Sequence, residues 1–167
     1  MKSLLHFSTI MFLSIIVISC SNDNEAGVIP SNSIVLSASL NGTNEVPANT
    51  STAKGTAYLI YSKTTKVFTI KINYSGLAPT MALIHKETVN NENPIVFTVG
   101  KYFDYENPTN ALPLIDFTSP HLTTEQETEL LTNQYYINLY SSAFPDGEIR
   151  GQLINSNLDG SGNKNLY

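Results

Sequence analysis

The chain has 167 residues, with 9 lysines and arginines against 14 aspartates and glutamates, a formal net charge of −5 and 41% hydrophobic residues. That is enough for one domain with a real core and too little for two comfortable ones. A single cysteine excludes an intrachain disulfide, and an acidic balance without basic clusters excludes nucleic acid as a partner.

Lys2 opens a positive segment, and residues 4–18 form an apolar run broken by His6, Ser8, Thr9 and Ser14 and ending at Val17-Ile18-Ser19-Cys20. The run is shorter than the roughly 20 residues needed to span a bilayer, so residues 1–19 read as a signal peptide. Cys20, directly after small and apolar residues, resembles the cysteine of a bacterial lipobox. The resemblance implies acylation of Cys20 and a lipid-anchored protein of the bacterial cell envelope, at the outer membrane on its periplasmic or surface face. A soluble secreted protein is the plainer alternative. Removing residues 1–19 takes Lys2 with it and leaves eight cations against 14 acids, a net charge of −6. Membrane attachment is therefore expected through lipid and not through a polybasic patch. Residues 20–33 are small and polar, without apolar periodicity, and read as a flexible tether.

From Ile34 the period becomes two. Ile34, Leu36, Ala38 and Leu40 alternate with Val35, Ser37, Ser39 and Asn41, and Asn41-Gly42 ends the strand. Strands follow at 56–61 and 66–74, joined by Ser62-Lys63-Thr64-Thr65, then at 80–86 and 95–99. Residues 100–121 carry Pro108, Pro113 and Pro120 and read as a long loop. A helix is predicted over 122–133, capped by Thr123 or Thr124 with Gln126 or Glu127 three residues on. Glu125, Glu127 and Glu129 are expected on its wet face.

Residues 134–153 carry the clearest pattern in the chain. Two alternating arms, 135–140 and 148–153, flank Pro145-Asp146-Gly147 and predict an antiparallel hairpin. Tyr135, Ile137, Leu139, Ile149, Gly151 and Leu153 share one face; Tyr136, Asn138, Tyr140, Glu148, Arg150 and Gln152 share the other. The tail 156–167 reads as disordered. Short strands between turn signals with one short helix predict an all-β, immunoglobulin-like or superoxide-dismutase-like antiparallel β-sandwich over residues 34–155.

At this point the motifs resemble the CHRD domain, the family named after chordin. The resemblance rests on Asn44-Glu45-Val46-Pro47, Gly55-Thr56-Ala57, Ser75-Gly76-Leu77, a strand ending in His85, and a Tyr-x-Asn hairpin closing in Gly147-Glu148-Ile149-Arg150-Gly151-Gln152. It implies a β-sandwich of extracellular or envelope proteins without an assigned activity. The family usually has His-x-His in the middle strand, similar to the copper strand of Cu/Zn superoxide dismutase, and a histidine in the hairpin. Leu83 and Tyr140 stand in those places.

Only His85 and His121 remain after signal cleavage, too few for a dismutase-type centre, although a metal-binding redox protein is kept as the alternative. His85, Asn138, Tyr140, Glu148 and Arg150 form a possible polar cluster, with Glu148 and Arg150 expected as an ion pair that pins the hairpin. The plainer reading of His85 is a hydrogen-bonded structural histidine. Asp104, Glu106 and Asp116 with Tyr102, Phe103, Tyr105 and Phe117 offer a second candidate, for calcium or glycan, against an ordinary solvated loop. No catalytic residue, metal ligand or cofactor is assigned. The reading is a non-enzymatic envelope lipoprotein whose domain is a binding or structural module of unknown ligand, with a protein or a glycan as the candidate.

Overall fold

The computed structural model describes residues 31–90, 92–101 and 114–155. The signal peptide, Cys20, most of the tether, residues 102–106 of the second candidate site and the tail lie outside them.

Among the described residues, alternating apolar residues build nine strands: β1 (Ser33–Asn41), β2 (Lys54–Ser62), β3 (Val67–Ser75), β4 (Pro79–Lys86), β5 (Ile95–Lys101), β6 (Leu114–Thr118), β7 (Tyr135–Ser141), β8 (Ile149–Gln152) and β9 (Ile154–Asn155). One helix, α1 (Thr124–Leu131), precedes β7. All pairings are antiparallel, in the order β5-β4-β7-β8-β1-β2-β3-β6, with β9 also on β1. The sheet rolls up until its two edges approach each other. A Cβ added to Gly100 of β5 would lie 3.7 Å from Ile115 of β6. The result is a nearly closed, sandwich-like all-β fold whose inward faces share one core.

That core contains Leu36, Leu40, Leu59, Phe68, Ile70, Ile72, Ile84, Ile137, Leu139 and Ile149, all fully buried. Phe68 of β3 meets Phe97 of β5 edge to face at 5.2 Å, an aromatic contact that joins one end of the strand order to the strand next to the other end. Gly151 lets β8 lie close to β1, since a Cβ there would stand 2.7 Å from the Ser39 carbonyl oxygen.

Residues 100–121 are not one irregular loop: β6 lies within them and pairs with β3 from Thr69↔Thr118 to Asn73↔Leu114. Pro113 and Pro120 bracket six proline-free residues, five of which form an edge strand that turns Ile115 inward. The same strand dissolves the described part of the second candidate site. Asp116 pairs with Lys71 at 3.4 Å, and Phe117 packs on Phe68.

The capping box forms as the spacing requires, with Thr123 Oγ1 accepting from Gln126 N and Gln126 Oε1 accepting from Thr123 N. Glu129 departs from the wet-face expectation. It is buried, accepts the Tyr135 hydroxyl at 2.6 Å and pairs with Lys86 Nζ. Glu129 is buried along with Leu130 on this short helix, and β7 supplies the phenol that compensates its burial.

Candidate functional site

The predicted antiparallel hairpin forms, with Tyr136↔Gln152, Ile137↔Gly151, Asn138↔Arg150 and Leu139↔Ile149 opposed. Its apolar face enters the core. Its polar face is not wet: Tyr136 is buried between His85 and Arg150, and Asn138 is buried against Glu45, part of residues 42–51 that fold back over the hairpin.

Three side chains hold that segment down. Asn44 Nδ2 donates to the carbonyls of Ser39 and Arg150, at 3.1 and 3.0 Å. Asn49 Nδ2 donates to the carbonyls of Gly147 and Glu148, each at 3.0 Å, while its Oδ1 accepts from Ser51 N at 2.9 Å. Ser51 Oγ donates to Glu148 Oε1 at 2.7 Å. The side-chain amides of Asn44 and Asn49 thus bond four backbone carbonyls, one on β1 and three at the closing end of the hairpin. Glu45 enters the same layer, where Asn138 Nδ2 donates to its Oε2 at 3.2 Å.

Beside this clasp, His85 of β4 stacks on Tyr136 with ring centroids 5.2 Å apart, and the Arg150 guanidinium covers the other part of the layer 3.6 Å from the Tyr136 centroid. His85 Nδ1 lies 2.8 Å from the Asn93 carbonyl oxygen and Nε2 lies 2.9 Å from Tyr140 Oη. A carbonyl can only accept, so Nδ1 carries the proton and Nε2 accepts from the phenol. Burial pushes the His85 pKa down, opposed by the Asn93 carbonyl and helped by the Arg150 charge. Burial pushes Tyr140 up to about 12, with Tyr136 and Glu45 adding to it. The pair is therefore neutral imidazole and intact phenol near pH 7.

Of the sequence-derived cluster, His85, Asn138, Tyr140 and Arg150 come together in one layer. Glu148 does not join Arg150. Its carboxylate is drawn under residues 42–51 to Ser51, and Arg150 reaches Glu87 Oε1 at 3.2 Å instead. The period-two pattern places both on one face, yet Glu148 lies before β8 begins, where the chain is still turning. Sequence reasoning missed Glu45, Asn49 and Ser51 as members of this layer. Their signal lay in the Asn44-Glu45-Val46-Pro47 motif, read then as a family marker without a contact.

The donor set does not fit a dismutase-type copper or zinc centre. His85 has both ring nitrogens engaged, Leu83 beside it is apolar and buried, and His121 lies apart with its Nδ1 against the Leu122 carbonyl. No group of three or more histidine, cysteine, aspartate or glutamate side chains converges among the described residues.

A family model described as the CHRD domain matches residues 36–153, well over half of the chain. The chain belongs to the CHRD domain family. No curated protein and no solved structure matches it. In this CHRD domain the early Asn-Glu-Val-Pro motif and the closing Gly-Glu-Ile-Arg-Gly-Gln motif, about a hundred residues apart in the chain, are two sides of one contact. Beyond the clasp, Glu45, Val46, Pro47 and Asn49 face Phe144, Pro145, Asp146 and Gly147 across an open cleft of about 350 Å³. Val46 stands 78% exposed on its rim.

Proposed function

We propose that this CHRD domain is a lipid-anchored, non-enzymatic module of the bacterial cell envelope, tethered through Cys20 and contacting a protein or carbohydrate ligand. The observation that carries the non-enzymatic reading is the state of His85. Its two nitrogens are engaged by Asn93 and Tyr140, and the face around it is covered by residues of the same chain. An imidazole so held serves as a structural tie between β4 and β7. Anchoring is supported by the position of the single cysteine behind the apolar run. The ligand contact is assigned to the cleft, where Val46, Pro47, Phe144 and Pro145 supply apolar area and Asp146 a polar rim.

Fractionation of the full-length protein and its Cys20→Ala variant tests the anchor. The variant is expected in the soluble fraction, and a variant still extracted only by detergent overturns lipid attachment. The purified mature protein is expected to consume no superoxide after incubation with copper and zinc. Stoichiometric metal uptake with superoxide consumption overturns the non-enzymatic reading.

A further inference from the structure

One buried carboxyl, that of Glu45, is only half accounted for by the contacts assigned so far. Glu45 Oε1 and Asn138 Oδ1 are both enclosed and both without a hydrogen-bond partner. They also border one small space: the point where a Gly147 Cβ would stand lies 2.6 Å from Asn138 Nδ2, 2.9 Å from Glu45 Oε1 and 3.0 Å from Asn138 Oδ1. Gly147, at φ 129°, keeps that space clear, in a backbone region where other residues are strained. The other two atoms of the pair are already bonded, Asn138 Nδ2 donating to Glu45 Oε2 at 3.2 Å. Two unpartnered acceptors bordering one buried space forgo their hydrogen bonds, each at a substantial cost. A single proton on Glu45 Oε1 satisfies both at once. It turns the pair into a closed ring of two hydrogen bonds, acid to amide and amide to acid.

We propose that Glu45 is held as a neutral carboxylic acid sharing its proton with Asn138, and that loss of this proton to solvent loosens residues 45–49 from the hairpin and opens the cleft.

The surroundings agree. From β8, Arg150 favours the ionised form, but its guanidinium is turned to the Tyr136 ring and to Glu87. From β7 come Tyr136 and Tyr140, phenols whose pKa values burial raises. From β4, His85 is neutral and faces Tyr136 and Tyr140. Ahead of β8, the Glu148 carboxylate is taken up by Ser51. Asp146 stands on the opposite wall of the cleft. Burial outweighs the Arg150 charge and the Asn138 bond, and raises the Glu45 pKa to about 7. The movable wall is the one that carries Glu45, Val46, Pro47 and Asn49.

The test is a carbon-detected NMR titration of the mature protein from pH 4 to pH 9. The Glu45 carboxyl carbon is expected to titrate near pH 7, and the Asn138 side-chain amide signals to move with the same midpoint. Amide exchange at Asn49 and Gly147, whose N–H groups bond Gly42 O and Phe144 O, should accelerate between pH 5 and pH 8 by up to about 100-fold beyond the intrinsic pH effect. Glu45→Gln can donate to Asn138 Oδ1 at every pH, and should abolish both the amide shift and the excess exchange. A Glu45 midpoint near the ordinary 4.5 overturns the neutral pair, and unchanged excess exchange overturns the opening. Should Glu45→Gln fail to fold, the titration of the unmodified protein decides alone.

Discussion

Asn49 is the residue on which the clasp over the hairpin turns, and its two ends make opposite demands. Nδ2 must donate twice, to Gly147 O and Glu148 O, while Oδ1 must accept from Ser51 N. Asn49→Ala removes three hydrogen bonds, each with a net contribution of about 0.5–1.5 kcal/mol, and leaves two hairpin carbonyls facing apolar space. Because the side chain is only half-buried, water recovers part of the loss, and destabilisation of about 2–3 kcal/mol is expected. Asn49→Asp separates the two ends. It keeps the acceptor for Ser51 but sets a carboxylate oxygen against two carbonyls, in a chain that already carries excess negative charge. Its cost should exceed that of alanine by about 1 kcal/mol. Urea denaturation of the mature protein, with unchanged denaturant dependence across the three proteins, measures both. An aspartate variant as stable as the wild type, or milder than alanine, would refute the assignment of Nδ2 as donor to the hairpin.

Two further outcomes follow from buried polar groups. Tyr135→Phe removes a 2.6 Å hydrogen bond to the buried Glu129 carboxylate and should destabilise the fold by about 1.5–3 kcal/mol, the range for bonds to charged groups; a loss near zero in urea denaturation would contradict the placement of Glu129 under β7. The pH profile should carry two opposed slopes. His85 is lowered from 6.5 by burial, so its contribution is complete above about pH 6.5 and drains as pH falls toward its folded value. Glu45 is raised from 4.5 to about 7, so its contribution is complete below about pH 4.5 and is lost as pH rises to about 7. In Glu45→Gln the second slope is gone, and stability should only rise between pH 5 and pH 6.5. A flat or falling profile in that variant would contradict the His85 assignment.

The legible parts of the fold were those governed by neighbours in the chain. Period two along 34–40, 66–74 and 135–140 decides which side chains face the core, and the structure buries Leu36, Phe68, Ile70, Ile137 and Leu139 accordingly. Thr123 and Gln126, three residues apart, cap the helix through contacts the spacing already contains. The antiparallel hairpin follows from two arms separated by a short turn. β6 was hidden by the prolines that bracket it, since an edge strand of five residues carries little pattern of its own and is stabilised by β3.

The hairpin 134–153 shows where that legibility ends. The sequence by itself determined its two faces, the tyrosine that stands in place of a histidine at 140, and the family to which the motifs point. Only the tertiary structure decided that the polar face is covered and that Asn44, Asn49 and Ser51 close over it. It likewise decided that Arg150 turns to Glu87, that Glu148 turns to Ser51, and that Glu45 meets Asn138 with one buried, unpartnered oxygen left on each. The reason is physical. Alternation and capping act over two to four residues, whereas these partners lie 63 to 106 residues apart. Which amide reaches which carbonyl is set by how β1, β4, β7 and β8 are brought side by side in the sheet.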